Sequence, residues 1–145
     1  MTDIERFLAI EEIKQLKARY FRCVDTKDWD GFAALFAADA TVDYTPPGGN
    51  PKDWSISGAA NIVAFVRKAL EGAVTVHHGH MPEVELISSA RARGIFAMED
   101  LIWWPEGRRH KTLHGWGHYQ ETYEKNDWKW VIKTLRLTRL RLEES

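Results

Sequence analysis

Tyr20 and Asp25 lie near the end of a predicted first helix, His77, His78 and His80 start a predicted strand, and Asp100 sits inside a later one. These residue types suit acid/base chemistry. A carboxylate beside an imidazole fixes its tautomer and raises its basicity, and a nearby phenol can relay or donate a proton. Loss of water from a hydroxylated carbonyl compound is a reaction that such a set can serve.

The spacing constrains how these groups meet. Tyr20 and Asp25 are five residues apart, about 140° around a continuous helix, so they converge more easily if the helix ends or tightens before Asp25. Adjacent histidines point to opposite faces of a regular strand, so no simple strand gathers His77, His78 and His80, and either His77 or His78 can be the inward one. With Asp25 or Asp100, a histidine pair also has the donors to hold a divalent ion. Strict alternation places Phe96, Met98, Asp100, Ile102 and Trp104 on one side of their strand, setting an acid in an apolar face. A bulge or a solvent-facing Asp100 is the alternative, since Glu99 must point the other way. Arg139 can hold an acid ionised or bind a substrate oxygen, but with Arg136 and Arg141 it fits an exposed basic strand equally well. Tyr44 can line a pocket with its hydroxyl or only pack its ring.

The elements that position these residues read from periodicity. Thr2 and Glu5 have capping-box spacing, and Ile4, Phe7, Leu8, Ile13, Leu16 and Tyr20 predict one apolar face on a long helix ending near Val24. Asp28 caps a short second helix with Trp29, Phe32, Leu35 and Phe36. A strand follows from Ala40 to Thr45. The proline- and glycine-rich segment from Thr45 to Ser57 predicts a loop, with Trp54 a candidate lid over bound substrate. Ser57 is placed to cap a third helix that buries Ile62, Phe65, Val66, Ala69 and Leu70. From Val74 onward four long strands are expected: Val74 to Ile87, Ala90 to Trp104, Lys111 to Lys125 and Trp128 to Leu142, paired antiparallel. The order predicts an α+β fold, in which three helices of the N-terminal half cover a curved, mainly antiparallel sheet and enclose a cone-shaped pocket.

At 145 residues the chain predicts a single domain, 1–145, with a sizeable core. Aromatic residues are 12% of it and include seven Trp, enough bulky side chains to wall a cavity. A formal net charge of −1 gives no electrostatic basis for binding nucleic acid. Cys23 is the only cysteine, which excludes an intramolecular disulfide and a cysteine-based zinc framework and fits a cytoplasmic location. The charged start and the lack of a long apolar run predict no signal peptide and no membrane insertion.

From about Ile10 to Arg139 the chain resembles the SnoaL-like branch of the nuclear transport factor 2 superfamily, particularly its bile acid 7α-dehydratases. The resemblance rests on IEEIKQLKARYFRCVDTKDWD, HHGHMPEV, MED at Met98 to Asp100, and TYEKNDWKW followed by Arg139. It implies that Tyr20, Asp25, His77, Asp100 and Arg139 occupy acid/base and polar pocket positions, and that Tyr44 is a pocket tyrosine. Scytalone dehydratases are similar from Asp25 through Asp30, and alignment with them can favour His78 over His77. Their second histidine falls at Phe96, which argues against their substrate. Tyr44, Trp54, His78, Phe96 and Met98 are the expected substrate-binding residues. The expected reaction is a cofactor-independent, metal-free dehydration of a hydroxylated steroid enone or similar polycyclic hydroxy-ketone, with Asp100, if protonated, helping the hydroxyl to leave. The alternatives are a double-bond isomerase and a non-catalytic hydrophobe binder. The resemblance also implies a homo-oligomer, dimer or trimer, assembled through the exposed sheet.

Overall fold

The Thr2 hydroxyl accepts from the Glu5 N–H at 3.1 Å while the Glu5 carboxylate accepts from the Thr2 N–H at 2.6 Å, and this capping box starts α1 (Asp3–Asp25). The computed structural model describes residues 1–107 and 111–145. The buried stripe of α1 is Ile13, Leu16, Lys17, Tyr20, Phe21 and Val24. Ile4, Phe7 and Leu8 were expected in that stripe but are exposed, because the first turns of α1 project past the core. Asp28 caps α2 (Trp29–Ala33) through the Gly31 N–H at 2.9 Å, as expected.

The predicted loop from Thr45 to Ser57 contains structure. Asn50 caps the short α3 (Pro51–Trp54), with proline at the first turn where its missing N–H costs nothing, and β2 (Ser55–Ser57) pairs with β1 (Phe36–Asp43). The N-cap of α4 (Ala59–Ala69) is Gly58 rather than Ser57, at φ 91, a backbone conformation that glycine adopts without strain. Ile62 and Val66 of α4 are buried, and the helix packs on β1.

The expected strand from Val74 to Ile87 is two strands, β3 (Val74–Gly79) and β4 (Glu83–Leu86), interrupted where Pro82 removes a donor. Both pair antiparallel with β5 (Arg91–Trp103), along successive lengths of its edge. β6 (Thr112–Asn126) and β7 (Lys129–Glu144) continue the antiparallel ladder, and β7 pairs in parallel with β1. The sheet order is β2-β1-β7-β6-β5-β3, with β4 beside β5. The register of β6 on β7 steps from Trp116↔Arg141 to Gly117↔Arg139, leaving Leu140 as an extra residue. Such bulges bend a strand and increase its twist. The result is the curved, unclosed, mainly antiparallel sheet of the nuclear transport factor 2-like fold, with the helices on its concave face.

An ion pair is sunk into this core. Lys17 of α1 and Glu121 of β6 are both almost wholly buried and meet at 2.7 Å. The Lys17 ammonium also lies 3.6 Å from the centre of the Tyr20 ring and 3.5 Å from that of Tyr119, while Glu121 accepts a 2.7 Å bond from the Tyr123 hydroxyl. Burial pulls the Lys17 pKa down to about 8 against the opposing pull of Glu121. Among the described residues no helix is long and apolar enough to cross a membrane.

Removing one member of a buried ion pair strands the other, at a cost of about 3–5 kcal/mol. Urea denaturation of Lys17→Met should show a loss of that order. Adding Glu121→Gln removes the stranded charge, keeps an acceptor for Tyr123, and should restore more than half of it.

Candidate active site

Asp25 is the last residue of α1, and the turn that follows, with Lys27 at φ 60, directs the chain away into α2. β3 alternates so that Thr75 and His77 face the helix. The His77 N–H donates to Asp25 Oδ2 at 2.9 Å, the Thr75 hydroxyl donates to Oδ1 at 2.9 Å, and His77 Nδ1 lies 2.7 Å from Oδ1. Burial pushes the Asp25 pKa up, but the bonds and charge from His77, with help from Thr75, outweigh it and hold the group below its ordinary value. An ionised carboxylate can only accept, so Nδ1 carries a proton, and in the neutral form of the imidazole it is Nε2 that presents the lone pair.

The imidazole is held on its face as well. The Phe21 ring stacks on it at 5.8 Å and 14°, and the side chain of His77 is only 7% exposed. Gly79 makes room for Phe21: a Cβ there would come within 2.6 Å of the ring. His77 Nε2 is 4.0 Å from Asp100 Oδ2, too far for a hydrogen bond.

Asp100 does face inward, among Phe96, Met98 and Ile102 as alternation predicts. Its partner is Arg139, which donates from Nη1 to Oδ1 at 2.8 Å and from Nη2 to Oδ2 at 3.0 Å. The two residues belong to β5 and β7, with β6 between them. They meet because Gly115, opposite Asp100 in the ladder, has no side chain, and a Cβ there would collide with both the guanidinium and the carboxylate. Gly117, opposite Arg139, continues this bare track. Burial lowers the Arg139 pKa, but its bonds to Asp100 outweigh that and raise it overall, so Arg139 is a permanent cation.

The Tyr20 and Tyr44 hydroxyls meet at 2.5 Å. Burial raises the pKa of both phenols, so both remain protonated at neutral pH. One bond between two hydroxyls uses one proton and leaves the other free to donate. The Tyr44 ring stacks on Phe65 at 6.3 Å, and Trp54 meets the same Phe65 edge-on at 5.8 Å. The Tyr44 N–H donates to the Trp54 carbonyl at 3.0 Å, which ties the segment proposed as a lid to the strand.

A groove of about 610 Å³ runs between α1 and the β3–β4 segment, within the size range of small-molecule sites. Ala18, Phe21, Pro82 and Phe96 form the apolar part of its lining, Lys14, Lys17 and Arg22 of α1 add basic side chains, and Asp25 and His77 form part of its wall. His78 also borders the groove, but it points to the opposite face of β3 from His77, more than half exposed and 3.6 Å from Glu99. Among the described residues no three His, Cys, Asp or Glu side chains gather in a way that could hold a metal ion. The structure thus joins Asp25 to His77, brings Asp100 and Arg139 opposite them, and pairs Tyr20 with Tyr44. Tyr20 makes no hydrogen bond to Asp25 or His77, since α1 stays helical through Asp25 and the two side chains leave it in different directions. Phe96 is buried against the groove, and Met98 is buried beside Asp100.

Sequence reasoning missed Lys17, Glu121, Thr75 and Gly115. Their signals are present: Lys17 falls four residues after Ile13 in the apolar stripe, and Glu121 sits between Tyr119 and Tyr123 at a spacing of two, as Asp100 sits between Met98 and Ile102. The alternating glycines in His114-Gly115-Trp116-Gly117 mark a strand where another group approaches closely.

Gly115→Ala should separate Asp100 from Arg139, and denaturant titration should show a loss of about 3–5 kcal/mol, as for other broken buried pairs. Asp25 generates a pH dependence. Its folded pKa is below its unfolded value, so its contribution is present above about pH 4 and is lost as pH falls through the folded value. The stability difference between the wild type and Asp25→Asn should therefore be largest near neutrality and shrink in acid, as measured by thermal unfolding across pH.

The model of the SnoaL-like domain matches residues 5–136. A probable cyclase from Gibberella zeae is 30% identical over 135 residues, covering 88% of this chain and 89% of the relative. Among solved structures, a candidate scytalone dehydratase from Novosphingobium aromaticivorans superposes with a TM-score of 0.87 at 18% identity, over 99% of this chain and 92% of that one. A type-3 hexachlorocyclohexane dehydrochlorinase, LinA, from Novosphingobium barchaimii gives 0.81 at 19% identity, over 99% and 94%. At these identities the structures speak for the fold alone, whereas the match of the domain model spans most of the chain. The chain belongs to the SnoaL-like family.

Proposed function

We propose that this protein is a cofactor-independent hydro-lyase that removes water from a hydroxylated steroid enone or a similar hydrophobic polycyclic hydroxy-ketone. The observation that carries the reading is the polarity of His77: Nδ1 is fixed by Asp25 at 2.7 Å, while Nε2 makes no hydrogen bond among the described residues and faces the Asp100–Arg139 pair. In this reading His77 Nε2 takes the proton from a carbon made acidic by the conjugated carbonyl. Negative charge moves to the carbonyl oxygen, where the spare proton of the Tyr20–Tyr44 pair or the Arg139 cation stabilises it. The carbon–oxygen bond to the hydroxyl then breaks, and the imidazolium returns its proton so that water leaves. Asp100 uses both oxygens on Arg139 and acts by positioning that cation.

The groove suits a flat apolar substrate, with Phe21 and Phe96 available to its rings. Tyr44, Trp54, His78 and Met98 are secondary contacts in the proposal. We further take residues 1–145 to act as one domain in a cytoplasmic homo-oligomer, a reading supported by the single, buried, unpaired Cys23 and by the exposed Trp103 and Leu140 of the sheet.

The 30% identical relative named a cyclase favours one second reading. The same base yields the same enolate-like state, which attacks a second carbonyl carbon to close a ring instead of expelling hydroxide. Product mass after incubation with hydroxylated 3-oxo-steroid enones separates the two: elimination removes one water, and an addition that only closes a ring leaves the mass unchanged. His77→Ala should lower kcat by about 10²–10⁴-fold, the usual contribution of a positioned base, with ligand affinity changed less than about threefold. No loss of water across the panel by folded protein would reject the dehydratase reading.

A further inference from the structure

The Lys17–Glu121 pair has no part in the proton transfers above, yet both side chains are almost wholly buried, with Lys17 behind the wall of the groove. Replacing such a pair by uncharged side chains is often neutral or stabilising, so stability alone does not account for it. Its contacts offer a reason. The ammonium sits against the faces of two tyrosines, and one of them is Tyr20, whose hydroxyl is bonded to Tyr44.

Five contacts converge on that ring. Tyr20 meets Phe21 at 5.8 Å, Phe32 at 5.0 Å, Phe36 at 6.1 Å and Tyr119 at 5.7 Å, all edge-on or steeply tilted, and Lys17 caps its face. The aromatic contacts are apolar and tolerate rotation and sliding. The hydrogen bond to Tyr44 fixes the hydroxyl end of the side chain, and the cation fixes the plane of the ring, because the ring quadrupole attracts it only over the face. Lys17 is itself fixed by Glu121, and Glu121 by Tyr123. A chain of defined geometry thus runs from Tyr123 through Glu121 and Lys17 to Tyr20 and Tyr44. A cation over a phenol face also draws electron density from the ring, which strengthens its O–H as a donor.

We propose that Lys17, locked by Glu121, is a positioning residue for the Tyr20–Tyr44 donor pair: it fixes the plane of Tyr20 and sharpens the hydroxyl that the pair presents to substrate. The proposal rests on the dehydratase reading for its kinetic consequence, but not for its structural one. The Tyr20 hydroxyl is bonded to Tyr44 whatever reaction the site performs.

The test compares wild type, Lys17→Met with Glu121→Gln, and Lys17→Arg. The double variant has no stranded charge and so avoids the destabilisation of Lys17→Met alone; Lys17→Arg keeps the cation. Two readouts are taken. The first is the proton resonance of the hydroxyl shared by Tyr20 and Tyr44, assigned through Tyr44→Phe and recorded without ligand. The second is kcat and KM on the most rapidly converted enone of the panel. In the double variant the resonance should shift upfield or vanish through exchange, and kcat should fall at least tenfold while KM stays within threefold. Lys17→Arg should keep the resonance and more than a third of kcat. An unmoved resonance in the folded double variant, or a kcat within twofold of wild type, overturns the proposal. If the wild type converts no enone, the dehydratase reading fails by itself, and the resonance still decides whether Lys17 holds the tyrosine pair.

Discussion

A carboxylate at the C-terminal end of a helix stands in the wrong field, because the helix dipole presents its negative end there. Asp25 holds that position at the end of a 23-residue helix. It is stabilised by three donors that all come from β3: one main-chain N–H, one hydroxyl and one imidazole. This makes the junction between α1 and β3 mutually dependent. The helix end needs the strand's donors, and the imidazole needs the helix's carboxylate to set which nitrogen is free. Phe21, one turn earlier, lies along the imidazole face, and Gly79 leaves the space for it.

The same logic recurs deeper in the fold. The acids Asp25, Asp100 and Glu121 each meet one basic partner, and each pair joins elements that are not adjacent in the chain. Asp25 with His77 joins α1 to β3, Glu121 with Lys17 joins α1 to β6, and Asp100 with Arg139 spans β6 to join β5 to β7. An apolar contact would hold these elements together nearly as well, but it would not fix their relative placement to a hydrogen-bond length. The aromatic groups between the pairs, chiefly Tyr20, Phe21 and Tyr119, fill the space and exclude water, which keeps the charges strong.

Much of this was legible in the sequence where a single periodicity decided the outcome. The α1 capping box, the Asp28 cap and the inward face of β5 follow from local spacing and hold in the structure. Alternation also fixes that His77 and His78 diverge, although it cannot say which turns inward, since that depends on where α1 lies. Short-range rules failed where tertiary pairing took over. β2 is only three residues long and exists because β1 is beside it, and the break in the predicted strand from Val74 to Ile87 turns on Pro82. Lys17 was passed over because a lysine in a helix is usually solvated, although its place in the stripe marks it. The bidentate pairing of Asp100 with Arg139 depends on an absent side chain in an intervening strand, a relation that only the ladder reveals.

The separation of these pairs along the chain also bears on how the molecule comes into being. Asp25 and His77 are 52 residues apart, Lys17 and Glu121 104, and Asp100 and Arg139 39. Such distant contacts form slowly, because chain entropy is lost before they return any stability. Arg139 lies on β7, which is also the strand that clamps β1 to β6. A chain emerging from the ribosome therefore builds helices and hairpins first and acquires its full set of charged partners only when that final strand is inserted. Maturation of the polar centre and completion of the sheet are one event.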